Sequence, residues 1–231
     1  MCVLRKALTA TQVQHLSRLI DPVHFEMNVS ATLNVFRLLV QPQLCLPHLT
    51  VSSFDKIPVP LFFSRYQTNH PQIKAIVLDK DNCFAKAHDD KVWPAYNEQW
   101  EQLRKAYPDA SLLIVSNSAG TNDDKGHEQA KILEDRTGVT VLRHTTKKPG
   151  CHEEIMDYFR KKGIVEGPHQ VAVVGDRLFT DMLMANMMGA WGIWVRDGVV
   201  RSESLICRIE RSVYDKLTNG SSPVTPPTPR V

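Results

Sequence analysis

Nothing in this sequence approaches the ~18 consecutive apolar residues that a bilayer-spanning helix needs, so no transmembrane span is expected. A large surplus of charge of one sign is also lacking. The formal net charge is only +3, too small a surplus for nucleic-acid binding, which requires a basic face. Cysteine is sparse and unpatterned: Cys2, Cys45, Cys83, Cys151 and Cys207 are odd in number and include no C-x-x-C pair. That excludes a disulfide framework and a zinc–thiolate site, and fits a reducing compartment. No cysteine has Arg six positions later, which excludes the loop of cysteine-nucleophile phosphatases. The histidines lack metal-ligand spacing, so His48, His127, His144 and His169 read as packing or loop residues. What remains is 231 residues, 42% hydrophobic and 23% charged, an ordinary globular composition suited to one domain with extensions.

What is present is a series of short apolar runs that end in chemistry-bearing residues. Ile73 to Leu78 reads as a buried strand and ends in Asp79-Lys80-Asp81-Asn82-Cys83. Side chains two apart on a strand share a face, so Asp79 and Asp81 are expected to converge beyond its carboxyl end, where open α/β sheets bind ligands. Taken alone, the same residues are equally a turn signal. Further runs favour a site. Leu112-Leu113-Ile114-Val115 ends in Ser116-Asn117-Ser118. Val171-Ala172-Val173-Val174 ends in Gly175-Asp176, with Asp181 close behind. Between them, after a strand-like 139–143, comes His144-Thr145-Thr146-Lys147-Lys148-Pro149-Gly150. Together they supply what phosphoryl transfer requires: a carboxylate nucleophile, an acid/base, donors for phosphate oxygens, and carboxylates for a hard metal ion.

Strands are expected near 73–78, 111–116, 139–143, 170–175 and 191–195, and helices over 96–106, 126–137, 152–162 and 180–188. This alternation predicts an α/β fold, a Rossmann-like parallel sheet of about five strands with helices on both faces. The short spacings after Asp81, and between Ser116 and Lys148, leave no room for a large cap domain. An uncapped site favours a bulky substrate, such as a lipid at a membrane surface or a protein.

The ordered quartet of motifs resembles the haloacid dehalogenase superfamily of aspartate-nucleophile phosphatases. Leu78-Asp79-Lys80-Asp81-Asn82-Cys83, Lys147-Lys148-Pro149-Gly150-Cys151 and Val174-Gly175-Asp176-Arg177-Leu178-Phe179-Thr180-Asp181 resemble, more narrowly, the fungal and plant-type mitochondrial phosphatidylglycerophosphate phosphatases. The likeness covers about residues 28–200, including Asn34-Val35-Phe36-Arg37 and Cys45-Leu46-Pro47-His48-Leu49. Cys83 departs from the Thr or Val common in the superfamily and fits the narrower group.

The resemblance implies that Asp79 attacks phosphorus and that Asp81 serves as acid and then base. It also implies that Mg²⁺ is held by Asp79 and Asp176, by the backbone carbonyl of Asp81, and by Asp181 directly or through water. Ser116 and Asn117 would donate to phosphate oxygens. Lys148, next to Pro149, is the better candidate for the lysine that holds Asp79 and phosphate; spacing alone does not separate it from Lys147. From their place beside these carboxylates, Lys80 and Arg177 read by default as surface charge, with contact to a second phosphate or an anionic surface as the functional alternative. The substrate implied is phosphatidylglycerophosphate, on the route to cardiolipin, taken from the matrix side of the mitochondrial inner membrane by a peripheral enzyme. The competing reading is a phosphatase for a soluble phosphomonoester or a phosphoprotein.

The flanks divide the chain further. Residues 1–27, with Arg5, Lys6 and Arg18 and no acid before Asp21, are compatible with a mitochondrial targeting extension. Residues 28–71 read as an amphipathic helix over 28–40 followed by a proline-rich lead-in, and residues 72–200 as the catalytic core. Residues 201–217 form a basic amphipathic helix whose stripe is Leu205, Ile206, Ile209, Val213 and Leu217, packed on the core or in contact with lipid. Residues 218–231, rich in Ser, Thr and Pro, are expected to be disordered.

Overall fold

The computed structural model describes residues 37–63, 72–220 and 222–230. The expected extension 1–27 and most of the 28–40 helix lie outside the described residues, although 37–40 are helical.

Six parallel strands form one sheet: β1 (Leu49–Val51), β2 (Ala75–Leu78), β3 (Leu112–Ile114), β4 (Thr140–Val141), β5 (Val171–Gly175) and β6 (Trp191–Val195). Their spatial order is β1-β6-β5-β2-β3-β4. Five were expected; the extra one is β1, inside the proline-rich lead-in. Its three residues are too short for a periodic signal, and it forms because the edge of β6 accepts it, Thr50 opposite Trp194.

Period-two alternation sorts each strand between two cores. Ile76, Leu78, Leu112, Ile114, Ala172 and Val174 face one side, where α1 (Asn97–Ala106) places Trp100 and Leu103, and α2 (Glu128–Thr137) places Ala130 and Leu133. Ala75, Val77, Leu113, Val171 and Val173 face the other. There α3 (His152–Lys161) brings Ile155 and Phe159, and α4 (Leu183–Met188) brings Met184 and Ala185. Burial on both faces is why these strands read as unbroken apolar runs. A fifth helix, α5 (Leu205–Asn219), packs Val213, Tyr214 and Leu217 against Trp194 and Met182. The chain winds outward from β2 through β3 and β4 on one side and through β5 and β6 on the other. The switch point therefore lies at the carboxyl ends of β2 and β5. Between β2 and α1 there are only short turns, and between β3 and Lys148 only α2 and β4 with short turns, so among the described residues no large cap covers that edge.

The tail differs from its expectation. Residues 222–230 run extended over the fold and are pinned by backbone bonds: Val224 N–H to the Leu217 carbonyl at 2.9 Å, Arg230 N–H to Gly189 at 2.9 Å, and His169 N–H to Arg230 at 3.2 Å. A proline-rich segment needs no internal hydrogen bonds to stay extended, so a few outside partners suffice to hold it. One of them is buried His48. Its Nδ1 accepts the Gly192 N–H at 2.9 Å, which leaves Nε2 as the protonated nitrogen donating to the Pro227 carbonyl at 2.8 Å.

Burial lowers the His48 pKa to about 4, against the Pro227 bond that raises it. A depressed histidine means that the unfolded chain binds the extra proton first. Its stability contribution is therefore complete above about pH 6.5 and is lost as pH falls toward 4, by up to about 3 kcal/mol. His48→Gln is expected to flatten the decline in melting temperature between pH 6.5 and 4.5 relative to wild type. An unchanged slope would show that His48 already carries its charge when folded.

Candidate active site

The polar ends of β2, β3 and β5 line one cleft of about 450 Å³, with Asp79, Asp81, Asn117, Lys148, Asp176 and Asp181 on its walls. Asp79 follows β2 and is anchored by its own N–H on the Val174 carbonyl at 2.9 Å. Asp176 follows β5. Asp181 sits on a π-helical turn, Leu178–Met182, where its carboxylate accepts the Arg177 N–H at 3.2 Å. That wide turn folds Asp181 back toward Gly175, so oxygens of Asp79, Asp176 and Asp181 lie within 4.8 Å of one another.

Three carboxylates in a mostly buried pocket repel each other. Lys148 Nζ answers part of this, donating to Asp79 Oδ1 and, at 2.7 Å, to Asp181 Oδ1. Burial still raises the Asp79 carboxyl well above its usual range against the pull of Lys148, with Asp181 and Asp176 pushing the same way. Asp176 is raised to about 7, by burial and then by Asp181. Burial opposes the charge on Lys148, but Asp181 and Asp79 together outweigh it and raise its pKa. Three hard oxygen donors against one ammonium leave an excess of negative charge, and a small divalent cation such as Mg²⁺ fits that donor set.

The other expected residues are placed more variously. Asp81 lines the same cleft but stands outside the three-carboxylate cluster. Its Oδ1 accepts Lys80 Nζ at 2.6 Å and the His88 N–H at 2.9 Å. The strand ends at Leu78, so the shared-face argument for Asp79 and Asp81 fails there and a turn does the work instead. Lys80, expected at the surface or on a second phosphate, is buried, with Nζ on Asp81 and on the Asp89 carbonyl at 3.1 Å. Ser116 is fully buried, and its Oγ bonds Ser118 Oγ at 3.0 Å. The cleft wall beyond β3 is formed by Asn117, whose Oδ1 accepts the Lys148 N–H at 2.8 Å. Lys147 ion-pairs with Asp123 at 2.7 Å on a partly exposed edge. Arg177 lines the cleft while its Nε donates to Glu210 Oε2 at 2.9 Å.

Two residues escaped the sequence reading. Asn82 joins three elements: its Nδ2 donates to Asp176 Oδ2 at 3.0 Å, and its Oδ1 accepts the Val200 N–H at 2.9 Å. Its backbone carbonyl also accepts the Val199 N–H at 2.9 Å. Gly198 makes this possible, with φ of 64° and no room for a Cβ beside the Asn82 side chain. Glu210 is the other, buried on α5 with the Phe179 N–H on Oε1 at 2.9 Å. Its signal was an acid lying within an apolar stripe, four residues after Ile206 and three before Val213.

Gly175 gives a sharp local test. A Cβ there would collide with the side chain of Asp181, so Gly175→Ala must displace that carboxylate. Turnover is expected to fall about a hundredfold, since an ångström-scale misplacement costs that much, while far-UV circular dichroism stays wild-type. Full activity in this variant would mean that Asp181 need not sit where the structure puts it.

The family described as mitochondrial PGP phosphatase matches residues 29–200. The chain is 55% identical over 191 residues to the mitochondrial phosphatidylglycerophosphatase GEP4 of Saccharomyces cerevisiae, covering 83% of this chain and 99% of that protein. It is 31% identical over 179 residues to a probable mitochondrial phosphatidylglycerophosphatase of Schizosaccharomyces pombe, covering 76% of this chain and 86% of the relative. A chloroplastic/mitochondrial phosphatidylglycerophosphate phosphatase 1 of Arabidopsis thaliana is 32% identical over 149 residues, 64% of this chain and 39% of its own. No solved structure matches the chain.

Proposed function

Because the chain belongs to the mitochondrial PGP phosphatase family, we propose that it hydrolyses phosphatidylglycerophosphate to phosphatidylglycerol and inorganic phosphate. The observation that carries the chemistry is the meeting of Asp79, Asp176, Asp181 and Lys148 in one open cleft.

In this reading an oxygen of Asp79 attacks phosphorus and the bond from phosphorus to the glycerol oxygen breaks, leaving an aspartyl phosphate. Asp81 gives its proton to the departing alkoxide, then takes one from the water that attacks the aspartyl phosphate. Phosphate leaves and Asp79 is regenerated. Lys148 holds Asp79 in its attacking position and offsets charge on a phosphate oxygen. Asn117, on the same wall, donates through its amide. The Ser116 hydroxyl would have to exchange Ser118 for a phosphate oxygen to assist. Asp79, Asp176 and Asp181, with the Asp81 carbonyl, would hold Mg²⁺, which when bound supplies the positive charge that lets an anionic nucleophile approach an anionic phosphate. The protein would work as a peripheral enzyme on the matrix side of the inner mitochondrial membrane, and its product would feed cardiolipin synthesis.

The test is phosphate release, with Mg²⁺ or with chelator, from phosphatidylglycerophosphate in detergent micelles, phosphatidic acid and soluble monoesters. Selective, chelator-sensitive release from phosphatidylglycerophosphate is expected. Equal or faster turnover of soluble esters would remove the lipid assignment, and release that survives chelation would remove the cation.

A further inference from the structure

Helix α5 is held by one side and left uncovered on another. Its buried side carries Cys207 and Glu210, and Val213 and Leu217 pack further along. Glu210 fastens the helix to Arg177 Nε and the Phe179 N–H, the same stretch that bears Asp176 and Asp181. The expected five-residue stripe therefore splits: Val213 and Leu217 pack, whereas Leu205, Ile206 and Ile209 are 70%, 48% and 46% exposed. Val200, on the segment leading in, is 56% exposed. Single exposed aliphatics are unremarkable, but four within ten residues at the lip of a cleft mark an interaction surface.

Two facts identify the partner. The segment is continuous with the cleft, since Val200, Ser202, Ser204 and Cys207 line it. Along the same helix runs a groove of about 740 Å³ that sets Arg201, Arg208, Arg211 and Lys216 against only Glu203 and Asp215. Aliphatic side chains bordered by a surplus of cations, beside a cleft that would take the phosphate of a lipid, match the headgroup boundary of an anionic bilayer. A second copy of the chain fits less well, because a self-complementary contact would bring like cations together.

Building on the proposed function, we infer that the 200–216 segment is the membrane-docking surface. Leu205, Ile206 and Ile209 enter the lipid interface and Arg208 and Lys216 meet headgroup phosphates, so that the cleft opens onto the bilayer. Glu210 keeps this surface in fixed register with the catalytic turn.

The experiment is cosedimentation with phosphatidylcholine vesicles, with and without phosphatidylglycerol, for wild type and two variants. Leu205→Ser/Ile206→Ser/Ile209→Ser is expected to lose binding about tenfold or more on both vesicles. Arg208→Glu/Lys216→Glu is expected to lose at least about fivefold for each cation, on the anionic vesicles only. Both should turn over p-nitrophenyl phosphate, and phosphatidylglycerophosphate dispersed in detergent, as wild type does, which separates docking from folding and chemistry. Wild-type vesicle binding by both variants would overturn the inference, and light scattering would show whether a second copy covers the face instead. Failure of wild type to hydrolyse detergent-dispersed phosphatidylglycerophosphate would remove the functional reading alone, because the binding comparison needs no turnover.

Discussion

Asp79→Asn is expected to lower phosphate release by about three orders of magnitude or more, with no loss in melting temperature. The two halves of that expectation have separate causes. An amide oxygen is too weak a nucleophile to form the acyl phosphate, and the other carboxylates of the cleft are engaged elsewhere: Asp81 by Lys80 and the His88 N–H, Asp176 by Asn82, and Asp181 by Lys148 and the Arg177 N–H. Stability follows the opposite logic. Asp79 is buried and its carboxyl is raised above the unfolded value by burial, with Asp181 and Asp176 adding to it despite Lys148. A raised carboxyl costs stability once pH exceeds its unfolded value near 3.8, where the unfolded chain ionises first. The neutral isostere removes that cost while Lys148 keeps Asp181 as a partner, so the metal-free melting temperature at pH 7 should match or exceed that of wild type. Added Mg²⁺ should raise the wild-type melting temperature more than that of the variant, since one donor has gone. Substantial turnover by the variant would sink the nucleophile assignment. A fall of many degrees would sink the electrostatic account of the pocket.

The parts of this site that were legible in the sequence are those where one local pattern has one physical cause. Strands buried on both faces must be apolar throughout, so β2, β3 and β5 announced themselves. A parallel sheet puts its carboxyl ends together, so Asp79, Ser116 and Asp176 had to lie near one edge. The same logic falls silent wherever the cause is a distant partner. β1 exists because β6 offers an edge, and the tail is ordered because His48, Gly189 and Leu217 happen to lie along its path. Asn82 looks like a turn residue until Val200 arrives from far along the chain to take its Oδ1. The stripe on α5 was correctly periodic, but periodicity does not say how far along a helix its cover extends; the core reaches Val213 and stops short of Ile209. Ser116 stands at the strand end where the pattern put it, and the partner its Oγ takes, Ser118 of its own turn, is a contact that strand periodicity does not encode.

The adjacent lysines are the case that only geometry separates, and their variants should diverge widely. Lys148→Met takes the ammonium from between Asp79 and Asp181, all three nearly inaccessible. Removing one member of a buried ion pair costs about 3–5 kcal/mol because the remaining charge has no partner. The metal-free variant should therefore melt far below wild type, and the deficit should grow as pH rises above about 4, where an unpaired Asp79 must either ionise in a poor environment or hold its proton against solvent. Mg²⁺ should restore part of the loss, since a cation held by the same carboxylates replaces the missing charge. Turnover should stay low even then, because the phosphate has lost a donor and Asp79 its orienting partner. Lys147→Met breaks the pair with Asp123, whose side chains are 28% and 53% exposed, and such a pair contributes no more than about 1 kcal/mol. Its melting curve and kcat should stay near wild type. Thermal melts of both variants with chelator and with Mg²⁺, read beside phosphate release, decide the matter. A crippled Lys147→Met beside a robust Lys148→Met would reverse the assignment, and equal damage in both would mean that the phosphate is held by the pair.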